Sequence, residues 1–477
     1  MSNFMLFAAR EQDAVKYHKE DDHAYRTRFE RDRDRILYSK EFRRLSGKTQ
    51  VFVAGSDDNV RTRLTHTLEV TQIANTIARH LNLNEILTEA ISYGHDIGHT
   101  PFGHVGERTL NLLVNGCDVI KNINDYIEPD LRGFKHNWQS IRVATRLERI
   151  SREFAGLNLT DNTLWGMLNH SKLDYKPCAY LNMDKCGFKH EHNKKCINPT
   201  LSLKFYDRYN KYFNDSSWTI EGLVVSWADE IAQRNHDIQD GLISDIIDKN
   251  EFVESFKQIF KEQITESEHI ELNVIVKENL KTYYLSQLSK FIVNYFVTRL
   301  LDNTKYNLRV LQAKYNLSAN NSFMANKSVI GRTEDLANLV SYKHEIINPE
   351  KLFHKYIKDR IINSGAAQRM DGKSNYIILQ LVKAYLNNPQ QLPDITIMSL
   401  YRNYNDFDLN KSPKKLPLSE IVANKRNELQ NDYFSDGNDH FKVALLRTIC
   451  DYIAGMTDQY ALDQYEILYG GSGFRKL

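Results

Sequence analysis

Apolar residues recur along the chain mainly at the three- and four-residue spacing of an amphipathic helix. One clear run consists of Val70, Ile73, Ala74, Ile77, Ala78 and Leu81. His66 lies four positions before this run, so the same buried stripe carries a histidine. A second run at 87–94 places His95 just after its apolar face, and we expect that helix to end near Gly98 and Pro101. Both histidines are therefore predicted to point into the protein.

A third helical run carries a row of polar side chains beside its apolar face. Its apolar positions are Ile220, Leu223, Val224, Trp227, Ala228 and Ile231. Asp229, Gln233 and Asp237 follow one another at intervals of four residues. Residues spaced in this way lie on one side of a helix, so these three side chains are expected to share a stripe.

Helical periodicity continues through much of the remaining chain, whereas the alternation typical of strands is hard to find. Further helical runs lie at 138–150, 252–260, 280–300, 376–385 and 441–453. The stretch at about 175–214 is rich in Lys, Asn, His and Tyr without a clear period, and we expect an irregular insertion there. We therefore predict an all-α fold with a helical core at 1–245 and a helical C-terminal region at 246–477 that packs on the core.

Length and composition are those of a globular protein. The chain has 477 residues, of which 41% are hydrophobic and 26% charged, and no apolar stretch approaches the roughly 20 residues that a membrane span needs. The apolar patch at 4–9 is too short for a secretory signal and has no basic run before it. Five cysteines, few and odd in number, argue against a disulfide framework. We expect a cytoplasmic protein without a membrane partner.

Charge is balanced over the whole chain but not locally. The formal net charge is only +2, whereas the segment 26–48 holds nine Lys and Arg against four acids. Arg and Asp alternate at 31–35, which fits a solvated, salt-bridged helix face about as well as a polyanion site. Single-stranded nucleic acid is therefore kept as a partner that segment 26–48 could bind.

Three cysteines and two histidines cluster in the irregular stretch and raise the alternative of a zinc site. They are Cys178, Cys186, Cys196, His190 and His192. None of the spacings forms the short Cys-x2-4-Cys pattern of structural zinc sites. We favour a lysine-rich loop with scattered thiols and keep the zinc site as the alternative.

The adjacent pair His95-Asp96 is the main candidate for metal chemistry. It offers an imidazole nitrogen and a carboxylate oxygen, ligands suited to Mn, Fe, Co, Ni or Zn. Two more ligands would be needed, and His66 and Asp229 both lie at inward helical positions that could converge on the pair. A His-Asp pair alone is a weak signal, because most such dipeptides bind no metal.

The residues that follow strengthen this interpretation. Within ten positions the chain carries His95, His99 and His104, and glycines punctuate the turn at 98–106. Glycine lets the backbone approach a ligand closely, and such a run has little structural purpose. His104 and Glu107 could instead cap the start of a helix, so catalysis is weighed against that simpler role.

At this point the sequence resembles the HD-domain superfamily and, within it, the deoxynucleoside triphosphate triphosphohydrolases, often called dGTPases. The resemblance is anchored on His95-Asp96-Ile97-Gly98-His99 and extends over nearly the whole chain. Matching blocks lie at 33–36, 42–45, 48–52, 61–66, 95–107, 133–140, 158–160, 228–232 and 452–458. The resemblance thus implies that residues 1–245 are an HD-domain catalytic core and that 246–477 help to complete its pocket.

The resemblance also implies a role for each matched residue. The implied metal ligands, for Mn, Mg, Co, Fe or Ni, are His66, His95, Asp96 and Asp229. The implied phosphate contacts are Arg63, His99 and His136; the implied general acid is His104, oriented by Glu107; and the implied sugar contacts are Gln50 and Asp237. At Gln233 many relatives carry a tyrosine that touches the phosphates, so Gln233 is kept as a pocket residue without an assigned role.

The implied reaction is the hydrolysis of dGTP or several deoxynucleoside triphosphates to deoxynucleoside and inorganic triphosphate. Relatives are commonly oligomeric, so a homo-oligomer is expected. Two other classes stay open: another HD phosphohydrolase or phosphodiesterase, acting on monophosphates or cyclic dinucleotides, and a non-catalytic nucleic-acid-binding protein. The intact run at 95–107 argues against the latter, since a pure binder needs no metal ligands.

Overall fold

The computed structural model of the protein describes residues 4–50, 61–115, 133–173, 217–317, 338–405, 418–434 and 439–470. Helices dominate these ranges, and the described residues form only isolated β-bridges and no strand. The all-α prediction is confirmed. The expected insertion, with its cysteines, lies outside the described residues, so the zinc alternative stays a prediction. Within the described ranges, no helix has the length and apolar character needed to cross a membrane.

The first three helical runs of the N-terminal half are confirmed. In chain order its helices are α1 Arg28–Leu37, α2 Lys40–Arg44, α3 Arg63–His80, α4 Glu85–Gly94, α5 Gly103–Val114, α6 His136–Arg142, α7 Asp161–Asn169 and α8 Ile220–Ile243. The run predicted at 138–150 forms α6 and a π-helical turn, Val143–Leu147, three residues short of the expected end. Capping side chains define several starts: Thr62 accepts from the amide of Thr65, and Asn84 from that of Leu87. Helix α4 ends at Gly94, four residues before the expected Gly98, because the chain already turns there toward α5.

The C-terminal half is also helical wherever it is described. Its helices are α9 Lys249–Ile259, α10 Glu266–Lys277, α11 Lys281–Lys314, α12 His344–Ile357, α13 Gly365–Asn387, α14 Asp394–Asn405, α15 Leu418–Phe434, α16 Asp439–Ala454 and α17 Asp458–Tyr469. The predicted runs at 280–300, 376–385 and 441–453 lie inside α11, α13 and α16. Each helix is longer than its run, since polar residues continue a helix without adding to its apolar pattern.

Three buried apolar clusters hold the helices together. The largest joins α3, α4 and α8 and continues into α9 and α11. A second joins α5 to α13, α14 and α16, and a third joins α1 and α2 to α6 and α7. Because the first cluster crosses the connection between α8 and α9, the boundary expected there stays a prediction.

The run after α4 lies where the three clusters meet. Ile91 belongs to the first cluster, Phe102 to the second and Ile97 to the third. Gly98 allows the close approach of α6, because a Cβ there would come within 2.1 Å of the Ser140 backbone nitrogen. The histidine-rich segment therefore packs against helices of all three clusters.

The basic segment 26–48 is largely neutralised by the protein's own carboxylates. Seven of its nine basic side chains form ion pairs: Arg26, Arg28, Arg31, Arg33, Arg35, Arg44 and Lys48. Lys48 is fully buried, and its Nζ donates to the carbonyls of His99 and Ala454 at 2.6 and 2.8 Å. The pairing favours the salt-bridged helix face, and nucleic-acid binding by this segment stays a prediction.

Candidate active site

The four predicted metal ligands converge where α3, α4 and α8 cross. The Nε2 atom of His66 lies 3.0 Å from Asp229 Oδ1 and 3.9 Å from Asp96 Oδ2. The Nε2 atom of His95 lies 3.5 Å from Asp96 Oδ1 and 3.8 Å from Asp229 Oδ1. Side chains from α3, α8 and the turn after α4 thus bring two imidazole nitrogens close to two carboxylates.

The donor atoms of this cluster fit a divalent cation. The Nδ1 atom of His95 lies 2.6 Å from the Ser92 carbonyl and donates to it, so Nε2 carries the lone pair. That Nε2 is buried and has no hydrogen-bond partner among the described residues. A buried lone pair facing two carboxylates is the arrangement a transition metal completes, and the mixed nitrogen and oxygen set suits Mn, Fe, Co, Ni or Zn.

Electrostatics keep both carboxylates ionised. Burial acts to raise the pKa of Asp96, but His95, His99 and the Arg63 guanidinium outweigh it and hold the pKa well below its ordinary value. Burial acts in the same way on Asp229, and the hydrogen bond from His66 together with the neighbouring imidazoles lowers its pKa instead. Both groups are therefore carboxylates at neutral pH, the state that metal binding requires.

A second histidine stands behind His66 and was not singled out by any sequence pattern. The Nδ1 atoms of His66 and His236 lie 3.2 Å apart, and the Nε2 of His236 is hydrogen-bonded to Glu69. Burial, only partly offset by Glu69, lowers the pKa of His236 to about 4, so its ring is neutral. A neutral His236 that donates to Glu69 can accept from His66 Nδ1. With its proton on Nδ1, His66 no longer donates to Asp229 from Nε2, and that Nε2 lone pair is then available to a metal. Helical spacing on α8, seven residues after Asp229, was the only available signal.

His236→Phe is expected to weaken metal binding by roughly 10- to 100-fold, the usual cost of losing such a supporting partner. The phenyl ring fills the space but cannot accept from His66. Competition with a fluorescent chelator measures the Kd, and His80→Phe on the exposed side of α3 is the matched control. An unchanged Kd in a folded His236→Phe protein would show that His66 needs no partner.

Two of the predicted phosphate contacts are anchored on Asp96. Arg63 Nη1 donates to Asp96 Oδ2 at 2.6 Å, and His99 Nε2 lies 3.1 Å from Asp96 Oδ1. The Nε and Nη2 atoms of Arg63 and the Nδ1 atom of His99 are buried without a hydrogen-bond partner among the described residues. Polar atoms left in this way are costly unless a ligand meets them, and the two free nitrogens of Arg63 are placed to receive an anionic group. Burial and the Arg63 guanidinium hold the pKa of His99 well below its ordinary value, so its Nδ1 can donate to a phosphate oxygen only after the ring gains a second proton.

The third predicted phosphate contact, His136, is held by Glu107. The carboxylate accepts from the backbone amide of His136 at 2.9 Å and is hydrogen-bonded to the ring Nδ1. Burial acts to raise the pKa of Glu107, but His136 and Lys135 hold it well below its ordinary value. One ligand-type atom from each of His99, His104, Glu107 and His136 lies within 4.8 Å of the others. That Glu107 orients His104 stays a prediction. The hydrogen bonds between Glu107 and His136 were not predicted from the sequence.

His104 occupies the second position of α5 and is the exposed member of this group. Its ring lies edge-on to that of His99, with centroids 5.3 Å apart. Desolvation by the surrounding protein lowers the pKa of His104 to about 4, only partly offset by Glu107. The ring is neutral in the free protein, so a role as acid requires a bound anion that raises its pKa.

The turn that presents His104 is braced from the far end of the chain. Phe102 and Gly103 both have positive φ, 59° and 60°, a conformation that favours glycine. Asp458 at the start of α17 accepts from the amides of Phe102 and Thr49, at 2.8 and 2.9 Å. The C-terminal region therefore helps to hold the turn that carries His104.

The predicted sugar contacts lie further along α8 and before the turn. Asp237 is buried, and burial together with Asp240 raises its pKa to about 8. At 1.5 Å per residue it lies about 12 Å along the helix from Asp229. Gln50 has a buried Oε1 without a hydrogen-bond partner in the described part of the chain, and Gln233 is half-buried. Their roles stay predictions.

The raised pKa of Asp237 makes stability depend on pH. The folded protein keeps this proton while the unfolded chain loses it between 3.8 and about 8. The stability that this proton contributes to the fold is therefore fully present below pH 3.8 and is lost as the pH rises to about 8. Over this range the free energy of unfolding falls by at most about 1.4 kcal/mol per pH unit. Relative to Asp237→Asn, the ligand-free wild type is expected to lose unfolding free energy over this range in denaturant titrations. Parallel pH profiles of the two proteins would mean that Asp237 is ionised in the fold.

The all-α core brings His66, His95, Asp96 and Asp229 together as a candidate centre for a divalent metal, and comparisons with known proteins identify the class. The HD domain family model matches residues 63–234, and the phosphohydrolase-associated domain model matches 417–467. The chain is 31% identical to a Geobacter metallireducens protein over 98% of its own length and 95% of the relative's. It is 30% identical to a Thiobacillus denitrificans protein over 98% and 97%, and 28% identical to a Leptospira interrogans protein over 95% and 92%.

All three relatives carry the name deoxyguanosinetriphosphate triphosphohydrolase-like protein. The chain belongs to this dGTPase-like family of HD-domain proteins. It is therefore a phosphohydrolase of the HD type, and its His and Asp cluster is a candidate centre for a divalent metal.

Proposed function

We propose that the protein hydrolyses deoxynucleoside triphosphates, dGTP or several of them, to deoxynucleoside and inorganic triphosphate. The observation that carries the proposal is the shared use of Asp96, which faces His66 and His95 on one side and anchors Arg63 and His99 on the other. This supports a metal site next to buried nitrogens of Arg63 that have no hydrogen-bond partner among the described residues and could bind phosphate. The names of the relatives support the choice of substrate.

Some residues of the site bind the metal and the substrate, and others transfer protons. A divalent cation held by His66, His95, Asp96 and Asp229 would supply hydroxide near neutral pH and neutralise charge on a phosphoryl oxygen. Arg63 offers Nε and Nη2 as a two-pronged donor to the phosphate oxygens, the geometry in which guanidinium binds phosphate best. This arrangement holds the α-phosphate while its charge grows in the transition state.

His104 supplies the proton for the leaving 5′-oxygen. Its ring is neutral in the free protein, and the negative charge of a bound triphosphate raises its pKa so that it arrives at the reaction protonated. The Glu107 carboxylate near the ring favours the same protonated form. Protonation of the leaving group is what allows the bond between phosphorus and the 5′-oxygen to break without expelling an alkoxide.

Sugar recognition is assigned to Gln50 and Asp237. A carboxyl group with a pKa near 8 is largely protonated at neutral pH and can donate to the 3′-oxygen. Gln50 offers a buried amide oxygen as an acceptor. Gln233 lies one turn before Asp237 on α8 and lines the space between sugar and phosphates. The expected homo-oligomer and cytoplasmic location stay predictions.

Product identity tests the proposal. Each of the four deoxynucleoside triphosphates is incubated with Mn²⁺ or Mg²⁺, and products are separated by anion-exchange chromatography beside nucleoside monophosphates and a cyclic dinucleotide as competing substrates. Equal amounts of tripolyphosphate and deoxynucleoside are expected. Release of pyrophosphate or orthophosphate alone, or turnover of the competing substrates alone, would assign the protein to another class of HD phosphohydrolase.

A further inference from the structure

A cavity of about 480 Å³ lies between α2, α14, α16 and the start of α17, and none of the residues that line it has a role in the function proposed above. Its volume falls within the roughly 300–1,000 Å³ of small-molecule sites in proteins. Leu147, Pro393 and Met456 contribute apolar surface to its wall, and Tyr452 and Tyr460 contribute two phenol rings. The cavity can therefore bury the apolar body of a small ligand.

Three carboxylates line the cavity, and they differ in how the protein itself binds them. Glu148 Oε1 accepts from two backbone amides at the start of α2, at 2.8 and 3.1 Å. Asp451 accepts from Nε and Nη2 of Arg142, at 2.6 to 2.8 Å. Glu41 Oε1 is hydrogen-bonded to the Arg44 guanidinium, whereas Glu41 Oε2 is buried without a hydrogen-bond partner among the described residues. Glu41 therefore has an oxygen left for a ligand.

The buried ammonium of Lys48 does not satisfy that oxygen. Lys48 Nζ lies 3.8 Å from Glu41 Oε2 and donates instead to the carbonyls of His99 and Ala454. Burial raises the pKa of Glu41 despite the charges of Lys48 and Arg44. A further donor that carries positive charge would therefore stabilise the ionised carboxylate.

A second buried polar atom lines the same cavity. Thr448 on α16 is only 2% exposed, and its Oγ1 has no hydrogen-bond partner among the described residues. A buried hydroxyl in this state is costly unless a ligand or water meets it. The mouth of the cavity is basic, since Lys40 is exposed and the Arg44 side chain is 46% exposed. Hydrogen-bonding oxygens thus lie deep in the cavity and cationic groups at its rim.

We propose that this cavity binds a small guanidinium compound with an apolar body and an anionic end, the chemistry of free arginine. A guanidinium group presents several N–H donors in one plane, which suit Glu41 Oε2 and the Thr448 hydroxyl. The tyrosine rings add cation–π attraction, and the methylene groups pack on the apolar wall. The anionic end then meets Lys40 and Arg44 at the rim. A bare metal ion would leave both the apolar wall and the basic rim unused.

Isothermal titration calorimetry of the full chain with L-arginine, agmatine and deoxyguanosine tests the site. Arginine is expected to bind once per chain, and agmatine, which lacks the carboxylate, several-fold more weakly. Glu41→Gln should weaken arginine binding roughly tenfold or more, because a charge-assisted hydrogen bond is lost. Glu254→Gln, at an exposed carboxylate of α9, is the matched control and should bind as the wild type does.

Thr448→Val separates ligand binding from a structural role and serves even if Glu41→Gln disturbs folding. The variant removes the partnerless hydroxyl with little change of shape, so its Tm without ligand should equal or exceed that of the wild type while arginine binds several-fold more weakly. No heat of binding at millimolar arginine, or wild-type affinity in the folded variants, overturns the proposal. Binding of deoxyguanosine alone, lost in Glu41→Gln, would also overturn it and identify the occupant as a nucleobase. None of these measurements depends on hydrolysis, so the proposed function is tested separately.

Discussion

Asp96→Ala is expected to remove the bound metal and to abolish hydrolysis. Asp96 faces the Nε2 atoms of His66 and His95 and also pairs with Arg63 and His99, so it joins the candidate metal centre to the predicted phosphate contacts. Losing the cation removes several kcal/mol of transition-state stabilisation. At about 1.4 kcal/mol for each factor of ten, the rate should fall roughly a thousandfold or more.

Folding must be separated from chemistry in this variant. Removing Asp96 leaves the buried Arg63 guanidinium without its carboxylate, and breaking a buried pair costs about 3–5 kcal/mol. Asp96→Asn keeps the size of the side chain. Both variants are compared by thermal unfolding, metal content and initial rate. Asp22→Ala, at a well-exposed carboxylate, is the matched control and should behave as wild type. Turnover retained by a folded Asp96→Ala protein would refute the assignment of the metal centre.

His104→Ala is expected to keep the metal and lose most of the rate. His104 is exposed at the start of α5 and is not one of the four predicted metal ligands. Loss of a general acid costs about 10²- to 10⁴-fold in kcat. The metal content should match the wild type, and Arg108→Ala, one turn along α5 and exposed, should leave the rate unchanged.

The leaving group distinguishes acid catalysis from a merely structural role of His104. A triphosphate ester of an acidic alcohol needs little protonation as it leaves, so the variant should be far less impaired on it than on dGTP. An equal loss on both substrates, or loss of metal from the variant, would mean that His104 supports the structure of the site instead.

Much of the fold and of the metal centre follows from local patterns in the sequence. His66 is buried because it continues the apolar stripe of α3, and Asp229, Gln233 and Asp237 share α8 because they recur every four residues. Glycines mark the turn at 98–106, and all three meet a close neighbour or a dihedral that disfavours other residues. Patterns of this kind depend only on residues close in the chain.

The partners of these residues could not be predicted in the same way. His170 belongs to no periodic motif, and it reaches His136 only because α6 packs on α7. Asp458 braces the turn at Phe102 from 356 positions away. Such contacts depend on how helices cross, which the spacing of apolar residues within each helix does not fix.

The course of the bond cleavage tests the central claim most directly. Hydrolysis of dGTP is run in oxygen-18-labelled water, and mass spectrometry follows the label into each product. Attack at the α-phosphorus with His104 as the acid predicts unlabelled deoxyguanosine and tripolyphosphate that carries one labelled oxygen. Labelled deoxyguanosine, or deoxyguanosine monophosphate with pyrophosphate as the products, would contradict the account.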